Sequence, residues 1–144
     1  MRQNRSIPSP TVIPVLIYPD VRAAVEWLES AFAFVERLQI GEAHRAQMTV
    51  GEGGAVIAAD VRGNRVAPHD GESTSSVLVR VEDAHALCER ARERGAEIDD
   101  PPTDHVYGER QFTAVDPWGH RWTFSETLED VDPAAWGGIL KEPG

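Results

Sequence analysis

One strand-and-helix unit is written twice in this chain, 63 residues apart, and any fold must place both copies. The run TVIPVLIY at 11–18 is short, apolar and rich in β-branched residues, which predicts a strand. The YPD that ends it stops the strand and offers Asp20 as a helix N-cap. In the VRAAVEWLESAFAF that follows, Val21, Ala24, Val25, Leu28 and Phe32 fall on one stripe at helical spacing. The segment SSVLVRVEDAHALCERARERGAEI repeats this with a short strand, Asp83 at the cap, and Ala84, Leu87, Cys88 and Ala91 on the stripe. Asp20 matches Asp83, Val21 matches Ala84, Ala24 matches Leu87, Val25 matches Cys88 and Leu28 matches Ala91.

The tails repeat as well. HRAQMTV, GEGG and AVIAAD in the first half answer to ERQFTAV, DPWG and HRWTFSE in the second. An offset of 65 matches Val50 with Val115, Gly54 with Gly119 and Ala58 with Thr123. Each tail therefore reads as a closing hairpin; in DPWG, Pro117 presets the first turn angle and Gly119 accepts a positive φ.

Strand, helix and then two or three strands, twice over, predict an α+β class with the helices on one face of a curved mixed sheet. The other face is left concave, where a small ligand binds. The expected organisation is an arm over residues 1–10 and one domain over 11–128. Its first module covers about 11–62, its linker about 63–73 and its second module about 74–128, and a tail covers 129–144.

Charge narrows the partners. Against 14 Lys and Arg stand 24 Asp and Glu, a net charge of -10, which argues against nucleic acid and against an anionic membrane surface. The one cysteine, Cys88, reads as a small buried hydrophobe on the second helix. No apolar run approaches the roughly 20 residues of a membrane span, and MRQNRSIPSP lacks the apolar core of a secretion signal, so the cytoplasm is the expected location.

The βαβββ duplication, the cap Asp20 before AAVEWLESAFAF, the loop YGER at 107–110 and the hairpin DPWGHRWTF together resemble the vicinal oxygen chelate superfamily. That superfamily includes glyoxalase I, bleomycin-resistance proteins and extradiol dioxygenases, and the small glyoxalase- and bleomycin-resistance-like group is most similar. The resemblance spans residues 11 to 128 and implies paired modules forming a cup, often closed by a second chain, so a homodimer is expected. Metal-dependent members hold four His, Glu or Gln ligands, two per module. By position these sites fall on Ile13, Ala58, Ser76 and Thr123, none of which suits a divalent transition metal. A slip of two residues reaches Val15, Asp60, Leu78 and Ser125 and restores no set of four. No metal and no other cofactor is expected.

Alternation divides each strand between cup and helix sides. Val77, Val79 and Val81 belong under the helix, which turns Ser76, Leu78 and Arg80 to the cup. In the last strand His120, Trp122 and Phe124 share the helix side, and by the family positions Arg121, Thr123 and Ser125 line the cup. The 65-residue offset aligns Arg45, Gln47 and Thr49 with Arg110, Phe112 and Ala114 as cup-facing sets. Arg45 and Arg110 then bring two guanidinium forks towards one cavity, suited to carboxylate or phosphate, or else they pair with carboxylates at the sheet rims. Phe112 and Tyr107 offer aromatic faces to a planar ligand, although Tyr107 equally serves to anchor the YGER loop. The candidate ligand-binding residues are Arg45, Gln47, Arg80, Tyr107, Arg110, Phe112 and Thr123.

Trp122 and Phe124 read as core, and Trp27 and Trp118 as partner-facing. His44 and His105 precede strands near the rim and are candidate general bases, against the plainer reading of surface histidines. His44 with Glu126 is the one His–carboxylate pair from which a partial metal site can be drawn. In the tail, Asp132 and Pro133 start a capped helical turn anchored by Trp136. Three functions fit: a metal-free binder of a small planar or anionic molecule, a metal-dependent lyase or isomerase acting next to a carbonyl, and a scaffold whose cup is filled by its own side chains.

Overall fold

The structure, a computed structural model, describes residues 1–141. The first module runs β1 (Val15–Ile17), α1 (Val21–Phe32), β2 (Val35–Ile40), β3 (Arg45–Val50) and β4 (Gly54–Ala59). The second runs β5 (Ser76–Arg80), α2 (Ala84–Glu93), β6 (Glu97–Asp104), β7 (Glu109–Val115) and β8 (Arg121–Thr127). Each module forms its own four-stranded mixed sheet, ordered β1-β4-β3-β2 and β5-β8-β7-β6. Among the described residues the β1–β4 and β5–β8 pairs are parallel and the other pairs antiparallel. The tandem α+β architecture is as the repeat predicts. No helix of the described residues is long and apolar enough to cross a membrane.

Local chemistry accounts for the helix starts. Asp20 accepts from the Ala23 amide and Asp83 from the Ala86 amide, both at 3.0 Å, which satisfies donors that the first helical turn leaves unpaired. The predicted stripe of α1 is buried throughout, and in α2 Ala84, Cys88 and Ala91 are buried with Leu87 packed beside them. β6 contains Pro101 and Pro102 and still pairs, because it is an edge strand whose register breaks around them.

A single core joins the two modules. Phe32 lies 4.8 Å from Phe124 and 5.6 Å from Trp122, ring centre to centre, and Phe34 lies 5.3 Å from Trp122. Trp27 and Trp118, expected to face a partner, also pack, partly buried, against this internal seam. Trp27 stacks edge-on against Phe32 and Trp118, and its Nε1 donates to the Arg94 carbonyl at 2.7 Å. The seam offers each ring an apolar neighbour, and both rings stay partly exposed.

The repeat itself shifts register. Tyr18 donates to the Ala59 carbonyl, and Val81 donates to the Ser125 carbonyl. Tyr18 and Val81 lie 63 residues apart, whereas Ala59 and Ser125 lie 66 apart. The hairpin strands are therefore equivalent at 66, not at the 65 that the sequence suggests. One residue of slip turns every side chain to the other face of a strand.

Gly108 in the YGER loop is fixed by the tail. The Leu128 amide donates to its carbonyl at 2.8 Å, its φ is +87°, and a Cβ there would sit 2.4 Å from the Glu129 carbonyl oxygen. Gly108→Ala is expected to cost about 1–3 kcal/mol, read as a lower urea midpoint at unchanged slope. Gly51→Ala, also at positive φ but with open space around it, isolates the dihedral strain. Equal midpoints for the two variants would show that the tail does not clamp this loop.

Candidate functional site

The candidate site is the pair of sheet faces turned away from the helices. On the first module β1 and β4 contribute Ile17, Ile57 and Ala59, a small apolar cluster separate from the core, with Ile13 against it. Directly across the ladder, Arg45 pairs with Ala59, Gln47 with Ile57 and Thr49 with Ala55, so these three share the face as expected. Ala58, carried over as a ligand position, points into the main core instead, because its neighbours Ile57 and Ala59 take the open side.

The second module carries a polar wall. Thr123 faces the open side, and its hydroxyl lies 2.9 Å from that of Thr113. Beside it runs a directed chain of hydrogen bonds. Tyr107 donates to Gln111 at 3.1 Å, Gln111 donates to the Ser125 hydroxyl at 3.0 Å, and Ser125 donates to Glu109 at 2.6 Å. Tyr107 is held between His105, stacked at 5.0 Å, and Trp136. Its ring is thus an anchor for the loop, and His105 is engaged with it. Arg80 lies in the same row as Ser125 and donates to the Thr127 hydroxyl at 3.2 Å.

Two expected contacts fall on the wrong side. Phe112 is fully buried in the core, with its ring 5.0 Å from Phe124. Arg110 turns to the same side and forms a two-pronged pair with Asp104 at 2.7 and 3.2 Å. The hydrogen bond from Arg110 holds the Asp104 carboxyl below its ordinary range, and that same bond raises the Arg110 guanidinium. The 66-residue offset is the reason: Arg45 and Gln47 are equivalent to Gln111 and Thr113, not to Arg110 and Phe112. Gln111 and Thr113 are the open-face residues that sequence reasoning missed, and the alternation of polar Glu109, Gln111 and Thr113 with Phe112 and Ala114 was the signal that could have found them.

His44 does not form a pair with Glu126. Its Nδ1 lies 3.0 Å from Asp60, next to the open-face residues Arg45 and Ala59 but on the opposite side by alternation. Burial works to raise the Asp60 carboxyl, and hydrogen bonds from His44 and Arg62 outweigh it and hold it low. Glu126 accepts from the Ala84 amide at 2.8 Å, where it serves the start of α2.

These placements decide the fit to a metal. On the open faces the first module offers the aliphatic cluster beside Arg45, Gln47 and Thr49, and the second offers hydroxyl and amide groups with carboxylates set apart along it, Glu109 in the hydrogen-bond chain, Asp100 opposite Thr113 and Glu97 opposite Val115. Among the described residues no three His, Cys, Asp or Glu side chains come together to hold an ion. That donor set does not suit the transition metal of metal-dependent superfamily members. Hollows of about 200 Å³ beside Arg121 and the linker, and of about 100 Å³ beside Arg37 and Thr49, are smaller than the roughly 300 Å³ at which ligand pockets begin.

Behind the faces, Asp116 of the DPWG turn ties the modules together. It is 3% exposed. Its Oδ2 accepts from the Tyr18 hydroxyl at 2.7 Å and from Trp122 Nε1 at 3.2 Å, and its Oδ1 accepts from the amides of Trp118 and His120. His120 Nε2 lies 2.7 Å from the Ile17 carbonyl, which can only accept, so that nitrogen carries the proton.

Comparison with known proteins agrees with this architecture. The family model described as the Glyoxalase/Bleomycin resistance protein/Dioxygenase superfamily matches residues 11–124. An uncharacterised protein of Mycobacterium bovis is 24% identical over 132 residues, covering 85% of this chain and 87% of that one. Among solved structures, TioX from Micromonospora sp. ML1 is 31% identical with a TM-score of 0.69, over 84% of this chain and 100% of that one. TnmS3, an antibiotic binding protein from Streptomyces sp. CB03234, has a TM-score of 0.67 at 22% identity, over 85% and 98%. With the profile match spanning both modules and the repeated strand–helix–three-strand unit in place, this chain belongs to the Glyoxalase/Bleomycin resistance protein/Dioxygenase superfamily.

Proposed function

We propose that this chain binds a small planar or anionic molecule on its helix-free faces without a metal, in the cytoplasm. The observation that carries the reading is the composition of those faces, one apolar around Ile17 and Ile57 and one of neutral hydrogen-bonding groups around Gln111, Thr113 and Thr123. An apolar wall with a few placed polar groups is how proteins recognise organic ligands. Arg45 and Arg80 share these faces and suit an anionic substituent. That TnmS3, with the same fold, is an antibiotic binding protein supports the class of function.

The ligand is enclosed between two copies of the chain. Val15, Val35 and Leu78 are 43%, 59% and 61% exposed, apolar side chains that a second copy would cover.

The test is calorimetry on chelator-treated protein against a panel of metabolites and antibiotics, after a thermal-shift screen. Binding is expected to survive removal of metal, and Gln111→Leu is expected to weaken it about tenfold, the worth of one hydrogen bond left unmade. Stoichiometric zinc, nickel, manganese or iron in protein purified without chelator, with activity that depends on it, would overturn the reading in favour of a lyase or isomerase.

A further inference from the structure

The first residues of the chain lie along the first module, hydrogen-bonded to it through the carbonyls of Arg5 and Ser6. Traced back from β1, the chain passes Ile13 and then doubles over the open face of the first sheet. Pro8, Ser9 and Pro10 border a hollow of about 100 Å³ with Arg37, Thr49 and Ala55. Beyond them, Gln47 donates through Nε2 to the Ser6 carbonyl at 2.9 Å. Arg37 donates to the Arg5 carbonyl at 2.7 Å and, through its other terminal nitrogen, to the Gln47 amide oxygen. A local turn aligns the two carbonyls: the Ser6 amide donates to Asn4 Oδ1 and the Ile7 amide to the Asn4 carbonyl.

The consequence is burial where the bare sheet is open. Gln47 is 3% exposed and Pro8 is buried, although Val15 on the same face is 43% exposed. The seat is filled by main-chain atoms, which could come from any polypeptide or from an oxygen-bearing ligand. The hold is also slight, because residues 1–7 are exposed and belong to no helix or strand. Segments with so few buried contacts open at low free energy.

We propose that residues 4–10 form an autoinhibitory strap across the first module's half of the binding face, and that a ligand displaces it. Arg37 and Gln47 present two donors that the strap fills with consecutive carbonyl oxygens. A ligand that takes its place offers paired oxygen acceptors, as adjacent carbonyls, a carboxylate or a sulfonate do. The proposal rests on the binding function above and makes ligand affinity depend on how often the strap is open.

The test loosens the strap without touching the face, in the full chain. Asn4→Ala combined with Pro8→Gly removes the local turn and the buried proline. Tryptic cleavage of the Arg5–Ser6 bond is expected to speed up about tenfold at an unchanged melting temperature. The planar sulfonate dye 1-anilinonaphthalene-8-sulfonate is expected to bind at least about fivefold more tightly, and Gln47→Leu in the loosened chain to reverse that gain. An unchanged cleavage rate, or faster cleavage with unchanged dye affinity, overturns the strap. If panel compounds bind the native and loosened chains equally, the strap falls and the binding function stands. If the dye binds more tightly while no panel compound binds, the strap stands and the function falls.

Discussion

Asp116→Ala is expected to lower the stability of the fold by about 3–5 kcal/mol, a large share of the roughly 5–15 kcal/mol that holds a domain together. The substitution strands the Tyr18 hydroxyl and the Trp122 indole N–H, both on residues with no exposed surface. Each buried donor left unmade costs about 1–3 kcal/mol, and the amides of Trp118 and His120 lose their acceptor as well. Asp116→Asn retains one acceptor oxygen and is expected to fall between the alanine variant and the native chain. Urea denaturation followed by tryptophan fluorescence measures both. A loss under about 1 kcal/mol for the alanine variant would mean that the turn is not what joins the modules.

The same contact predicts an alkaline limit. Burial is the main cause that raises the Tyr18 phenol well above its ordinary value, and the adjacent Asp116 charge and hydrogen bond raise it further. The folded state therefore keeps a proton that the unfolded chain releases near pH 10. This contribution is present in full below about pH 10 and is lost above it, at up to about 1.4 kcal/mol per pH unit. In Tyr18→Phe the steepening above pH 10 disappears, which the difference between the two denaturation series measures.

How much of this was legible depends on whether the signal was local. Asp20 and Asp83 announce their helices because a cap is a contact across three residues, and the stripes of α1 and α2 carry their period within one turn. The helix-side placement of Val79 followed from alternation inside its strand, and that of Trp122 and Phe124 from alternation together with the family positions. Gln111 and Thr113 were missed because the 65-residue offset, which assigned the faces of β7, is one residue short of the true equivalence. Glu109, Gln111 and Thr113 are all polar, while the alternating set Arg110, Phe112 and Ala114 holds two apolar residues, so alternation favours burying Phe112. The choice is made by the ladder to β8, where Phe112 lies opposite Phe124 and Thr113 opposite Thr123. Asp116 was hidden for a related reason. Its role in the turn is local, but the partner that buries it is Tyr18, 98 residues away.

Phe112→Ala puts that register to the test and carries the second large effect. With the ring buried against Phe124 beneath the sheet, its loss leaves a core cavity, expected to cost about 3–5 kcal/mol. The affinity of the remaining folded protein for a compound found in the ligand panel should stay unchanged, since no part of the ring reaches the open face. Thr113→Val is expected to show the reverse pattern. It keeps the volume of the side chain while removing the hydroxyl paired with Thr123, so stability moves by about 1 kcal/mol or less and ligand affinity falls. The two substitutions sit one residue apart on a single strand and differ in the face they occupy. If Phe112→Ala abolished binding at little cost in stability while Thr113→Val left binding intact, β7 would be turned over and the polar wall would belong to the core side.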